Sequence, residues 1–503
     1  MKSCFQFSQT FSKAVLGAML VSSASVHAVE PFHFHHENIL GTSLDLQVST
    51  TDAAQAAAAE ASVLAEIERL RKILSSYDPG SELSRLNAAT APMVCSREML
   101  DVLTSYDLWQ SRSKGAYSGH INELASLWSR AEKVGTVPSP AELQAVLTSL
   151  AAPGWQFDPA TRIVTRLSPP QSLNLNSLGK GYIVTKAAIA ARKAVPGITG
   201  LLVNIGGDLF ASGRAPDGSA WEIGVSDPKR SADNAPPLTK LRLVDRAVST
   251  SAAYERGYTV AGRRYSHILD PRTGLPAEGV ASAAVIAANN ASANAMATSL
   301  CVLKPEEGLD LVESIPGAEC LIVAADGRQL RSPGFSALEG TAPPVATAPA
   351  NAWPSGYLVS IAIDLKAPAA GGRKIKRPFV AVWVEDSTGK RVRTVAVWGR
   401  ERKYLRELRV WWKLAQAQPE WAATVTRATR NAGQHRIEWD GMDDQGQPLP
   451  MGTYTLTIEA DREHGTYAIQ HGTIVCGKSA AKGTIPEGTE FSETQLTFGP
   501  AGP

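Results

Sequence analysis

Residues 339–354 read "EGTAPPVATAPANAWP", a run rich in Pro, Ala and Thr with no apolar period, and this interruption limits what the chain can fold into. Such a run supports neither helix nor strand, so it reads as a linker between two separately cored parts. Length agrees, because 503 residues exceed the ~250–300 at which one core stops growing. A hydrophobic content of 44% and a charged content of 19% leave enough apolar side chain for both cores.

Before the linker, helical and strand patterns alternate. "FHFHHENILGTSLDLQV" alternates apolar and polar residues as a half-buried strand does, with Gly41 and Thr42 as a break. Its His33, His35 and His36 read as strand histidines, since no matching ligand set follows at metal-site spacing. Residues 52–75 repeat apolar side chains every three to four positions, which predicts a helix covering a sheet face. Further helices are expected at 98–112, 178–193 and 290–303, and strands at "SLNL", "GLLVNIGG", "WEIGV", "ASAAVIAA" and "ECLIVAA". The mixture predicts an α/β or α+β domain.

Beyond the linker the pattern changes to short alternating strands broken by Gly, Pro, Asp and Asn: "YLVSIAIDL", "RPFVAVWVED", "RTVAVWG", "HRIEWDG" and "GTYTLTIEA". This predicts an all-β sandwich, and "WDGMDDQGQPLPMGTYTLTIEA" resembles the closing hairpin of immunoglobulin-like sandwiches, which implies that type. Seven of the eleven tryptophans lie from Trp353 onward and read as core residues, the interleaved Lys and Arg as solvated edge charges. The predicted organisation is a signal peptide (1–28), an α/β domain (29–338), the linker (339–354), the sandwich (355–480) and a C-terminal tail (481–503).

The signal reading rests on Lys2 and Lys13, the short apolar run from Ala14 to Val21, and small residues ending at Ala28. No stretch of the chain is long enough to span a bilayer, so an exported, periplasmic protein without a transmembrane segment is expected. Cleavage removes two lysines and no acid, turning 50 basic against 48 acidic residues into 48 against 48. A neutral surface argues against nucleic acid as a partner. Cys95, Cys301, Cys320 and Cys476 are widely spaced, which favours buried free thiols over a metal or redox site.

Four segments of the first part carry chemistry: "YDPGSELSRLN" (77–87), "LNLNSLGKGY" (173–182), "LLVNIGGDLFASG" (201–213) and "SHILDPRTG" (266–274) with the following "ASANAMATSL". "LGKGY" opens a helix and sets Lys180 near its N-terminus, where an ammonium and backbone N–H groups suit phosphate. Asn294 and Thr298 stand four residues apart, so their oxygens share one helix face and suit a hard cation such as Mg²⁺. An imidazole ordinarily titrates near neutrality, so His267 is expected to be able to handle a proton. Asp270 and Thr273 are expected to hold the turn through local bonds to backbone.

Together and in order, these segments resemble the ApbE-type FAD:protein FMN transferase family. Its patterns "S-E-L-S-R-L-N", "D-L-x-x-x-A/G-K-G-Y", "N-x-G-G-D", "T-S-G", "H-x-x-D-P-x-T-G" and "A-D-A-L-A-T" align with Ser81–Asn87, Asn174–Tyr182, Asn204–Asp208, Thr250–Ala252, His267–Gly274 and Ala293–Thr298. The resemblance covers roughly residues 38–335, and the tail resembles a domain of unknown function often fused behind such domains. It implies an exported enzyme that binds FAD with Mg²⁺ and joins the FMN half to a threonine hydroxyl of an acceptor flavoprotein, releasing AMP. It further implies flavin and adenine contacts at Leu40, Tyr77, Ala116, Tyr117, Ser118, Asn174, Lys180 and Ile268. Metal contacts are implied at Ser177, Asn294, Ala297 and Thr298, some through backbone carbonyls, with His267 as the group that handles the acceptor's proton. Two departures stand out: asparagine replaces the family's aspartate at 174 and 294, and "AYSGH" (116–120) replaces "A-F-D-P-T". An amide oxygen ligates a hard cation without contributing charge. A weakened FAD-binding scaffold, or a pyrophosphatase giving FMN and AMP, are therefore the alternative readings.

Overall fold

The computed structural model describes residues 31–500 apart from 168–172, 231, 233, 254–255, 341–348, 350, 368–376, 400–404, 417–425, 428 and 464. The predicted signal peptide and most of the predicted linker therefore lie outside the described residues.

One eight-stranded sheet organises the first part. Its strands are β1 (Phe32–Ile39), β2 (Thr42–Ser49), β3 (Gly200–Ile205), β4 (Asp208–Gly213), β5 (Arg246–Ala252), β6 (Val280–Ala287), β7 (Glu319–Ala324) and β8 (Gln329–Arg331). They neighbour one another in chain order, and every pairing is antiparallel. An antiparallel sheet with helices gathered on one face is the α+β form of the predicted domain.

Strand alternation assigns the two faces. Leu201, Val203 and Ile205 of β3, with Ala283, Val285 and Ala287 of β6, join the core beneath the helices. Leu202, Ala284 and Ile286 point to the opposite face, where the hairpin Trp221–Val225/Thr239–Leu243 and Phe335 close a second core. Over the first face lie α1 (Ala53–Leu74), α2 (Asn176–Ala194) and α3 (Asn290–Val302). Asp52 caps α1 by accepting from the amides of Ala54 (2.7 Å) and Gln55 (3.4 Å), and the helix ends where Ser75 turns extended. Its buried Ala56, Ala59, Val63, Ile67, Leu70 and Leu74 form one stripe, each large side chain worth about 1.5–3 kcal/mol of burial.

Two sequence expectations need correction here. "SLNL" is not a strand: Leu173 and Leu175 are buried, but their segment is irregular among the described residues. The carboxamide of Asn87 accepts from the Leu173 amide (2.8 Å) and donates to the Leu173 carbonyl (3.1 Å), replacing a strand neighbour. The "tail" from 481 is part of the sandwich, since Thr494–Pro500 pairs with both Tyr357–Leu365 and Ala481–Ile485 inside a four-stranded sheet. Its Leu496 and Phe498 are buried, which gives these alternating residues a core to occupy.

A five-stranded sheet faces that one. Between them pack Trp398, Trp439, Tyr454, Phe491 and Phe498, while on the outer face of the larger sheet Trp383 shares a second cluster with Trp411 of the helix Arg409–Ala415. Four of the expected core tryptophans, Trp383, Trp398, Trp411 and Trp439, are thus fully buried. The four cysteines among the described residues, Cys95, Cys301, Cys320 and Cys476, are buried thiols, and the Cys301 sulfhydryl donates to the Ser251 carbonyl.

Candidate active site

Close approach of backbone makes the site possible. A Cβ on Gly181 would lie 2.7 Å from the Asn290 carbonyl oxygen, so only glycine lets α2 and α3 cross this tightly. That crossing sets the first turns of α2 beside the N-terminal half of α3. Gly206, at φ +54°, turns β3 into β4, and its Cβ would meet Thr42 at 2.6 Å. Its amide donates to the Ser43 carbonyl (3.2 Å), so the β1–β2 turn carrying Leu40 borders the β3–β4 turn.

Asp208, only 3% exposed, stands at the centre. The Lys180 ammonium lies 2.6 Å from its Oδ2 and donates to the Gly206 carbonyl (3.3 Å). Asp208 Oδ2 is matched by this charge rather than by a directed hydrogen bond. The other oxygen, Oδ1, accepts from Ser249 Oγ (2.6 Å) and Asn294 Nδ2 (3.1 Å). Asn290 locks the surroundings by donating to the carbonyls of Leu209 (2.8 Å) and Val248 (3.0 Å). One turn beyond Asn294, Thr298 Oγ1 is 3.3 Å from Ser251 Oγ. Asn294 Oδ1 is buried and accepts no hydrogen bond, a state that costs about 1–3 kcal/mol when nothing fills it.

A second group lies along α2. Ser177 Oγ is held by the phenols of Tyr117 (2.7 Å) and Tyr106 (3.2 Å), whose rings stack 5.3 Å apart. Burial raises both phenols above their ordinary range and keeps them neutral. With its hydroxyl so engaged, Ser177 has its carbonyl to offer an ion. Ala297 has no side-chain oxygen and is fully buried inside α3. Ala116 and Ser118 flank Tyr117 in the same buried loop, Ser118 Oγ accepting from the His120 amide (3.1 Å). Asn174 accepts from the Asn176 amide (3.1 Å), and its Nδ2 donates to Asn122 Oδ1 (3.4 Å). Tyr77 presents an open ring, 84% exposed, with its hydroxyl accepting from Asn176 Nδ2 (3.2 Å).

The turn 266–274 forms the third group. Asp270 grips Arg272 through two side-chain bonds of 2.9 Å, and its carbonyl accepts from the Gly274 amide (2.8 Å). Thr273 Oγ1 accepts from the Leu275 amide (3.3 Å), so both residues hold the turn locally as expected. Arg272 lies over Gly115, where an added Cβ would be 3.4 Å from its Cγ, which sets the turn against the 116–118 loop. Ile268 is buried in the main core, its amide donating to Ser266 Oγ (3.0 Å). His267 Nδ1 is 3.1 Å from the Arg256 carbonyl. A carbonyl only accepts, so Nδ1 carries the proton and Nε2 keeps the basic lone pair. Burial is the main cause that lowers the His267 pKa, favouring the neutral ring. His267 bonds to Arg256 and not to the Lys180 cluster.

Lys180, Asn294 and Thr298 therefore come together, joined by residues that sequence reasoning did not assign: Asp208, Ser249 and Ser251. Asp208 was visible as the acid closing "NIGGD", but only its burial against Lys180 marks it as part of the site. No group of three His, Cys, Asp or Glu suited to a metal exists among the described residues. The oxygen donors are an amide, hydroxyls and carbonyls, a set that suits a hard cation completed by phosphate oxygens.

Residues 40–322 match the model of the ApbE family, and residues 360–493 match that described as "Predicted periplasmic protein (DUF2271)". The FAD:protein FMN transferase of Treponema pallidum is 29% identical over 324 residues, covering 59% of this chain and 86% of that protein. The crystal structure of an ApbE protein from Thermotoga maritima is similar at 28% identity and a TM-score of 0.55, covering 62% of this chain and all of that one (100%). The apo flavinyl transferase ApbE of Pseudomonas stutzeri is similar at 27% identity and a TM-score of 0.52, covering 62% and 98%.

Proposed function

This chain belongs to the ApbE family and is a transferase, and we propose that it moves the FMN half of FAD, with Mg²⁺, onto a threonine hydroxyl of an exported flavoprotein. The observation that carries the reading is the buried, unpartnered amide oxygen of Asn294 beside the Lys180–Asp208 pair. An acceptor atom held there without a hydrogen is what a cation bound with a diphosphate requires. Asn294 and Thr298 would hold the ion through side-chain oxygens, and Ser177 and Ala297 through carbonyls. When bound, the ion neutralises charge on the diphosphate as it is broken.

The chain's own residues do the rest. Leu40, Tyr77, Ala116, Tyr117, Ser118, Asn174, Lys180 and Ile268 are assigned to the dinucleotide. Tyr77 offers a ring face for stacking and Lys180 a positive charge for phosphate. His267 Nε2 takes the proton from the acceptor threonine hydroxyl. The threonine oxygen bonds to the FMN phosphorus, and the bridging bond breaks so that AMP leaves with the bridging oxygen. The match of the second domain to a predicted periplasmic family supports an exported setting. No helix among the described residues is long and apolar enough to cross a membrane.

The amides at 174 and 294 favour a second reading, a binding scaffold weakened in catalysis, because they remove charge from the site. Incubation with FAD, Mg²⁺ and an exported acceptor separates the possibilities. Flavin fluorescence on the denatured acceptor supports transfer. Free FMN and AMP without labelling indicate a pyrophosphatase, and binding alone a scaffold.

A further inference from the structure

We propose that Asp208 is the positioning residue for the divalent ion: it grips the amide nitrogen of Asn294, turns the amide oxygen toward the ion, and supplies the negative charge that position 294 lacks. This rests on the transferase reading above and concerns how its ion is held.

A carboxylate only accepts hydrogen bonds, so the end of the Asn294 amide facing Asp208 Oδ1 at 3.1 Å is the NH₂. The oxygen must then face the other way, and it is this atom that is buried without a partner. Asp208 is itself fixed from two further sides. The Ser249 hydroxyl has one proton, and it lies 2.6 Å from Asp208 Oδ1 against 3.2 Å from Asn290 Oδ1, so it is given to Asp208. The Lys180 ammonium at 2.6 Å holds the other carboxylate oxygen. The result is a clamp that leaves the Asn294 amide one orientation. It also ties the phosphate-side cation to the ion-side ligand through one carboxylate. An aspartate at 294 would carry its charge on the ligand; here the charge sits one hydrogen bond behind it.

The test uses the full chain with FAD and Mn²⁺ as the spectroscopic probe, free Mn²⁺ being read by electron paramagnetic resonance. Asp208→Asn is expected to weaken Mn²⁺ binding by about ten- to a hundredfold, as loss of a group that orients a ligand does, with the thermal transition retained. The exchange variant Asp208→Asn/Asn294→Asp keeps the hydrogen bond with its direction reversed and returns the charge. It is expected to recover affinity to within about threefold of the wild type. Binding by Asp208→Asn within about twofold of the wild type overturns the proposal. So does a folded exchange variant that stays as weak as the single one. If Asp208→Asn does not fold, the exchange variant decides. If neither folds, Asp208 is a structural ion-pair partner and the proposal fails. Wild-type protein that takes up no Mn²⁺ in the presence of FAD overturns the ion-dependent reading itself, a result distinct from an insensitive Asp208→Asn.

Discussion

The Glu37 carboxylate, on the first strand of the transferase domain, accepts from both the amide (3.3 Å) and the hydroxyl (3.1 Å) of Thr429 in the sandwich. Arg377 of the sandwich lies 3.4 Å from its other oxygen. Elsewhere on this junction Arg230 pairs with Glu438 (2.9 Å), and Asn234 bonds to the Val395 and Glu438 carbonyls. Hydrogen bonds to a charged group contribute about 1.5–3 kcal/mol, so losing the Thr429 hydroxyl bond to this carboxylate is measurable even with the amide bond retained. A double-mutant cycle of Glu37→Gln with Thr429→Val is expected to show coupling of roughly 1–2 kcal/mol in chemical unfolding. Additive effects would show that the domains do not lean on this contact.

The same carboxylate makes stability depend on pH through His35. Burial opposes charge on this imidazole, but hydrogen bonds to Asp45 (2.5 Å) and Glu37 (3.0 Å) outweigh it and hold its pKa up at about 9. A pKa raised on folding contributes stability that is complete below the unfolded value of 6.5 and is lost as pH rises through about 9. Glu37 moves the other way: burial works against its charge, yet the bonds from His35 and Thr429 hold it below the ordinary carboxyl range. Its contribution is present above that range and lost on acidification. The free energy of chemical unfolding is expected to fall between pH 6.5 and 9 by roughly a few kcal/mol, and His35→Gln to flatten that limb. A wild-type slope that survives His35→Gln would assign it elsewhere.

Gly181 links packing to the site. Gly181→Ala places a methyl 2.7 Å from the Asn290 carbonyl oxygen, backbone that has no side-chain freedom with which to yield. α2 and α3 must part, at a cost of about 1–3 kcal/mol, and Lys180 and Asn294 part with them. Weaker FAD binding alongside a lower melting temperature is expected in a flavin fluorescence titration. A variant as tight as the wild type would mean the helix crossing does not set the site.

What the sequence revealed depended on where the governing interaction lay. The helix Ala53–Leu74 was legible because its cap and stripe are local. Trp383, Trp398 and Trp439 were legible because strand alternation assigns them to a core, whereas Trp411 is buried from a helix that alternation does not describe. "SLNL" misled because Leu173 and Leu175 alternate as in a strand while Asn87, 86 residues before Leu173, supplies the partner. The strand Thr494–Pro500 was missed because its pairing to Tyr357–Leu365 spans more than a hundred residues, and Ala481–Ile485 joins the sheet only through it. The motifs located the site segments, yet Asp208, Ser249 and Ser251 take their meaning from contacts that only the folded sheet creates. The helices Asn122–Val134 and Pro140–Ala151, which wall the 266–274 turn with Trp128 donating to the Gly274 carbonyl (2.9 Å), were not anticipated.

His267 gives the most direct test of the chemistry. Its Nδ1–H is committed to the Arg256 carbonyl, so Nε2 is the nitrogen free to accept a proton. Burial lowers its pKa below the ordinary value, so the neutral ring predominates near pH 7 and is lost only on acidification. The rate of transfer is therefore expected to be level above pH 6.5 and to fall on an acid limb below it. His267→Ala is expected to lower transfer by about a hundredfold or more while leaving the FAD dissociation constant within about threefold, since no flavin contact is assigned to the ring. The acid limb should vanish from what activity remains. Transfer by His267→Ala at the wild-type rate would remove the proton-accepting role and leave the turn as scaffold alone.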